Sequence, residues 1–356
     1  MKIIFIFALL IRLICLYLFR NVNNYDLQSY IQVGELTLKR INIYSDIANL
    51  HHPYLPFFLY AEAVSIKLGQ ISIMGQIGPI GPSIAIKSLL IVFDLGIMYF
   101  VYLLSKKNQK TAFLYAINPV TILITALHGQ FDVIPVFFIL STIYLLNKKQ
   151  ELLSILSFSF AVLTKTWPIL FVIPIARRIK NKMFLVLILL FPILFTTIYS
   201  WLFRSSLLDI AKTLASYQGL WGIWGIWELL GKQRVLVQKL STLAFLTNFF
   251  VYSWIIKEKK LIKNILNLLF FFFVFTTNFS IQYFVWVIPF LFLIKPKYYF
   301  YLIFLISVYI FFFYYFWLFC PHCKIIPNWL IMTQNVTGFI VWLSFIKVGY
   351  LSKKIS

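Results

Sequence analysis

An all-α, polytopic membrane fold is predicted by three observations. The chain of 356 residues is 62% hydrophobic, with a mean hydropathy of +0.89. Only 12% of its residues are charged. The basic residues sit in short clusters between apolar runs, at Lys106-Lys107 with Lys110, Lys148-Lys149, Arg177 to Lys182, Lys257 to Lys263, Lys295 with Lys297, and Lys353-Lys354. No soluble domain of this length has that composition. Basic clusters between apolar runs mark loops held on the cytoplasmic side. A net charge of +22 would otherwise point to nucleic acid, and this distribution excludes it as a partner.

Taken in order, Met1 to Phe19 lacks a small-residue cleavage site and runs directly into Arg20, so it reads as a retained first span (1–20). Residues 21–82 form a long outer loop. Within it, Pro56 to Gly69 is apolar but carries Glu62 and Lys67, and counting it as a span would put Lys106-Lys107 outside. It reads as an interfacial helix with both charges towards water or a cavity. Spans follow at 83–104, 111–127, 133–147, 152–166, 167–176 and 183–203. The pair 152–176 is too short for two crossings and reads as helices broken at Trp167-Pro168. Residues 204–234 make a second outer loop, with Gly/Trp alternation from Tyr217 to Gly225. That segment either lies over a cavity or anchors tryptophans among headgroups. The last spans are 235–256, 262–278, 281–295, 298–317 and 328–347, followed by a cytoplasmic tail, 348–356. This is a single membrane domain, 1–356, of about 10–12 crossings with no repeat of fixed period.

Polar chemistry concentrates on one side of this layout. Of ten acids, Glu151 and Glu258 fall inside and Asp94 within a span; the others fall outside or at the outer edge, as do His51, His52, His128 and His322. The densest stretch is His128-Gly129-Gln130-Phe131-Asp132, between two apolar runs. Such groups in lipid are costly unless they face water or one another, which makes them a functional-site hypothesis. Lys165 stands at the outer end of its span, where a cation is otherwise hard to place. Gln282, Tyr283 and Trp286 open a later span at its outer end, as contacts to a polar ligand or as an aromatic belt. Lys87 and Asp94 are the obvious mid-span charges, and a structural polar contact is the expected role of Asp94. Cys320-Pro321-His322-Cys323 has thiol-redox spacing but lacks the βαβ context; a local disulfide or inert thiols is the simpler reading.

Four stretches resemble the GT-C superfamily of membrane glycosyltransferases, closest to the mannosyltransferase-like branches related to GPI-anchor assembly. They are Asn24 to Tyr30; Ile43-Tyr44 with His52-Pro53-Tyr54-Leu55-Pro56; Asn118-Pro119 through His128 to Asp132, continuing to Lys165-Thr166-Trp167-Pro168; and Gln282 to Pro289. They span the chain to about residue 295, and their order and common side make the match more specific than any one motif. The resemblance implies a GT-C-like bundle of transmembrane helices whose long first outer loop carries interfacial helices. It implies inverting transfer of a hexose, of the mannose type, from a polyprenyl- or dolichyl-phosphate sugar to a lipid- or protein-linked acceptor on the outer face. Asp26 matches the catalytic carboxylate. Lys165 is the first candidate for the donor phosphate, with His128 and Arg204 as alternatives and Gln130 and Asp132 beside them. Gln282, Tyr283 and Trp286 would be sugar or phosphate contacts, and Asp46, His51, His52 and Tyr44 are acceptor-contacting or loop residues. Many relatives carry paired acids here, whereas Asp26 follows Asn24-Tyr25. A hard cation wants more than one carboxylate, so no metal ligand is assigned, with a divalent cation left as an open alternative. The rival class is a transporter or flippase for a lipid-linked or small polar substrate. It would show repeats and mid-membrane ionisable groups.

Overall fold

The computed structural model describes residues 1–22, 24–45, 52–70, 81–216, 224, 234–276, 278–319 and 326–354. The chain is all-α, with no strand among these residues. The helices are α1 (Lys2–Leu18), α2 (Tyr25–Leu38), α3 (Phe57–Gly69), α4 (Pro82–Leu104), α5 (Gln109–Ala116) and α6 (Pro119–Ile122). A π-helical turn, Leu123–His128, extends α6. Then come α7 (Val133–Asn147), α8 (Glu151–Thr164), α9 (Val172–Ala176), α10 (Leu187–Phe203), α11 (Leu207–Ser216) and α12 (Arg234–Ile255). The last four are α13 (Leu261–Phe275), α14 (Phe284–Ile294), α15 (Tyr299–Phe319) and α16 (Asn328–Lys354).

Among the described residues, three stretches are long and apolar enough to cross a membrane: Pro82–Leu104, Lys182–Phe203 and Asn328–Ser352. A fourth counts if α5 and the segment Pro119–His128, bent by 46°, are one crossing. About twelve crossings were expected. The difference is length: α7 and α8, at 15 and 14 residues, reach only about 21–23 Å, short of a hydrocarbon layer of about 30 Å. What remains is compatible with a membrane protein. Along Lys182–Phe203 only 11% of the apolar window is buried, and Leu189, Ile193 and Trp201 stand 64%, 61% and 79% exposed. Water would penalise that surface; lipid would not.

Many helices stop on a basic residue in left-handed backbone. Arg40, Lys106, Lys107, Lys149, Arg204 and Lys295 have φ between 51° and 63°. The turns close as they do after a glycine cap: Ile41 N–H reaches Leu36 C=O, Lys107 reaches Tyr102, and Gln150 reaches Leu145. A non-glycine residue there costs about 1–2 kcal/mol. A cation at a helix C-terminus returns about 0.3–1 kcal/mol. The caps are therefore close to neutral, and they end the helices where the sequence places its basic clusters.

Contacts group the chain into two compact units. The first comprises Met1–Ile117, Thr121–Ile169 and Arg178–Tyr217. Here α2 lies on α3, closely enough that a Cβ on Gly34 would meet Ile66 Cγ1 at 2.7 Å. Helices α7 and α8 form a hairpin whose small polar residues bond across it: Ser154 Oγ to Thr142 C=O at 3.1 Å and Ser157 Oγ to Phe138 C=O at 2.9 Å. Val33, Ile43, Tyr44, Leu59, Tyr199 and Ile210 make an apolar cluster.

This unit also holds a charge the sequence reading passed over. Arg12, midway along α1, is fully buried and donates from Nε to Asp94 Oδ2 at 2.6 Å. Tyr115 donates to Asp94 Oδ1 at 2.6 Å, and Arg12 Nη1 reaches the Ala8 and Ala116 carbonyls. Asp94 thus has the structural role expected of it, with Arg12 rather than Lys87 as its partner.

The second unit comprises Asn118–Val120, Leu170–Arg177 and Gln218–Ser356. Its core is aromatic. Phe273 stacks on Phe345 with centroids 4.4 Å apart, and Trp224 stacks on Phe279 at 4.1 Å and donates to Phe273 C=O. Arg177 closes the end of α12, donating to the Ser253, Trp254 and Ile256 carbonyls.

Candidate functional site

The π-helical turn releases its last residue, His128, and Gly129 follows at φ +83°. A residue with a side chain is strained at that angle. A Cβ there would also meet Lys87 and Leu27 at 3.4–3.5 Å. This sharp exit turns His128 and Gln130 towards the start of α2. Asn24 caps α2 by accepting from Leu27 N–H, and its amide donates to His128 C=O at 2.7 Å, tying the two segments together.

Asp26, in the first turn of α2, receives both side chains on one oxygen. Gln130 Nε2 donates to Oδ2 at 2.5 Å, and His128 Nε2 lies 3.2 Å from the same atom. Tyr30, one turn along α2, donates to Gln130 Oε1 at 3.0 Å. That bond fixes the amide so that its nitrogen faces Asp26. Asp26 Oδ1 has no partner among the described residues, and the side chain is 44% exposed. Burial alone would raise the Asp26 pKa. The hydrogen bond and charge of His128, the charge of Lys165 and the Gln130 hydrogen bond outweigh it and hold the pKa below the usual carboxylate value. The group is therefore ionised at neutral pH, with one oxygen held and one open.

Beside it, Lys165 Nζ donates to Asp132 Oδ2 at 2.8 Å; Asp132 is fully buried and Lys165 nearly so. The ammonium also lies 4.8 Å from the Phe131 ring centre and 5.3 Å from that of Tyr54. Phe131 stacks on Phe58 at 3.8 Å, and Tyr30 meets both rings edge-on. The cation predicted for phosphate is thus largely compensated by a carboxylate. Lys87 is fully buried against Gly129, and among the described residues its Nζ makes one hydrogen bond, at 3.5 Å, to Val22 C=O.

Behind Tyr30 sits a second ionisable pair. His52 Nε2 and Glu62 Oε1 are 2.9 Å apart and fully buried. The expectation that Glu62 faces water or a cavity is not met: His52 gives it a partner inside, while Lys67 stays exposed. Burial raises the Glu62 pKa to about 7, against the lowering effect of His52. A carboxyl whose folded pKa lies above its unfolded value of 4.5 stabilises the fold below that value, and the contribution is lost as pH rises towards 7. Glu62→Gln should therefore be more stable than the parent at pH 8, by up to about 3 kcal/mol, and equal to it near pH 4. Melting curves from pH 4 to 8.5 check this; parallel pH profiles for the two proteins would refute it.

The remaining expected residues are not part of the cluster. Tyr44 is 3% exposed, packs edge-on against Tyr199 and donates to Tyr54 C=O at 2.7 Å, which places it in the packing of the loop. Arg204 is exposed at the end of α10 and bonds to none of these side chains. Gln282, Tyr283 and Trp286 belong to the second unit. There Gln282 accepts from Ser280, and Tyr283 stacks on Trp286 at 4.2 Å, both rings buried. Asp46, His51 and the Gly/Trp segment (apart from Trp224), together with Cys320 to Cys323, lie outside the described residues. Among the described residues no three His, Cys, Asp or Glu side chains form a metal-binding group. Asp26 pairs with His128 and Asp132 with Lys165.

The fold and site define an all-α protein with long apolar helices and a buried polar cluster around one half-exposed carboxylate. The chain matches no protein-family model, no curated protein and no solved structure.

Proposed function

We propose that this chain is an inverting glycosyltransferase of the GT-C kind, working in a membrane on its outer face. It moves a hexose, of the mannose type, from a polyprenyl-phosphate sugar to a lipid- or protein-linked acceptor. The observation that carries this reading is the asymmetry of Asp26: Oδ2 is held by Gln130 and His128, and Oδ1 is open. Such a group can take a proton from an acceptor hydroxyl while that oxygen attacks the anomeric carbon. The bond from that carbon to the phosphate oxygen breaks, and polyprenyl phosphate leaves with the electron pair. Leaving charge needs fixed cations. Lys165 shares its charge with Asp132 but also acts on Asp26 and keeps some exposure, so it is the first candidate for that role; Lys87 has no carboxylate partner among the described residues but is fully buried.

One observation favours the rival reading, transport of a lipid-linked or small polar substrate: the buried Arg12–Asp94 pair lies within apolar helices. The discriminating experiment presents purified protein in liposomes with a panel of radiolabelled polyprenyl-phosphate hexoses and lipid acceptors. Glycosylated product is expected from one donor. Label crossing the bilayer with no product formed would support the transporter instead.

A further inference from the structure

A second site lies in the second unit, where the N-terminus of α13 meets the C-termini of α14 and α16. A cavity of about 240 Å³ is lined there by Lys260, Lys263, Asn267, Lys295, Lys297 and Ser352, with apolar walls from Leu266, Leu293 and Ile294. Four lysines from two connecting segments and the first turn of α13 converge on it. The nearby carboxylate is Glu258, 3.4 Å from Lys263 Nζ and accepting from Asn267 Nδ2 at 3.2 Å. Among the described residues, four lysines line the cavity and Glu258 pairs with one of them, at the N-terminal, electropositive end of a 15-residue helix. The cavity is also not purely cationic. Asn267 is 2% exposed, and its Oδ1 accepts no hydrogen bond among the described residues. A buried amide oxygen left without a donor costs about 1–3 kcal/mol, so the site asks for a hydroxyl as well as an anion.

We propose that this cavity binds the headgroup of an anionic phospholipid that carries a hydroxyl, of the phosphatidylglycerol type. The phosphodiester would meet Lys260, Lys263, Lys295 and Lys297, and the hydroxyl would donate to Asn267 Oδ1. The volume suits a headgroup and is small for a whole cofactor, whose sites run to about 300–1,000 Å³. The location agrees: these basic residues belong to the clusters that the positive-inside rule assigns to the cytoplasmic leaflet, where anionic lipid concentrates. The proposal does not depend on the glycosyltransferase reading.

The test uses the full-length protein in dodecyl maltoside micelles, with melting temperature as the readout. Short-chain phosphatidylglycerol should stabilise it at a concentration at least tenfold below that of phosphatidylcholine. Phosphatidylmethanol, of equal charge but without the glycerol hydroxyls, should be at least threefold weaker than phosphatidylglycerol. Inorganic phosphate should do nothing at matched concentration. Lys295→Gln with Lys297→Gln, both exposed and so tolerable to the fold, should weaken phosphatidylglycerol at least tenfold. Lys106→Gln with Lys107→Gln, which are not among the cavity's lining residues, should not. Equal response to phosphatidylcholine, an equal response to inorganic phosphate, or equal loss in both double variants would overturn the proposal. Equal response to phosphatidylmethanol would overturn the hydroxyl assignment.

Discussion

Replacing Asp26 by asparagine is expected to lower turnover by about 10²–10⁴-fold while leaving donor affinity nearly unchanged. Asparagine keeps the size of the side chain, and its oxygen can still accept from Gln130. It cannot take up a proton, so the loss falls on kcat. His128→Ala should act differently. It removes the strongest of the contacts that hold the Asp26 pKa down, and burial then acts with less opposition. The acid limb of the pH–rate profile should move to higher pH, with substantial activity left at pH 8. Donor titrations over pH 5–9 for both variants read these effects. Full turnover in Asp26→Asn would end the assignment of Asp26 as base, and Asp46, outside the described residues, would become the next carboxylate to examine.

The largest effect on stability is expected at Asp94. Asp94→Asn would leave the Arg12 guanidinium fully buried without its countercharge. Breaking one side of a buried pair costs about 3–5 kcal/mol. Arg12→Met combined with Asp94→Leu removes both charges together and should recover much of that loss, although Tyr115 then loses its acceptor. The coupling follows from the four-protein cycle, measured by denaturant unfolding in detergent. A loss below about 1 kcal/mol in Asp94→Asn would mean that water or another group reaches Arg12.

Helix ends were the most legible feature of the chain. Basic clusters at Lys106, Lys149 and Lys295 stop helices physically as well as marking sidedness, because their residues occupy the left-handed caps. The core of the site was legible too. His128 and Gln130 lie 102 and 104 residues after Asp26 yet bond to it directly. Partners were not legible. Sequence places Lys165 near the outer edge, but whether it meets a phosphate or Asp132, 33 residues earlier, depends on packing. Glu62 turned inward because His52, ten residues before it, was available to receive it. Helix α2 could have been read: Leu27, Tyr30, Gly34 and Thr37 fall at helical spacing and are buried behind the Asn24 cap. Arg12, the one charge within α1 beyond its first residue, was visible in the sequence and not weighed.

The pairing of Arg12 with Asp94 also bears on how the chain enters a bilayer during synthesis. An arginine at the centre of a helix adds about 2.5–3.5 kcal/mol to insertion. The residue that neutralises it lies 82 positions later. At about 5–20 residues per second, α1 waits roughly 4–16 s before Asp94 has been made. If α1 meets lipid during synthesis, its guanidinium lacks a countercharge for that interval, and pairing with α4 would then lower the cost of holding both helices in the bilayer.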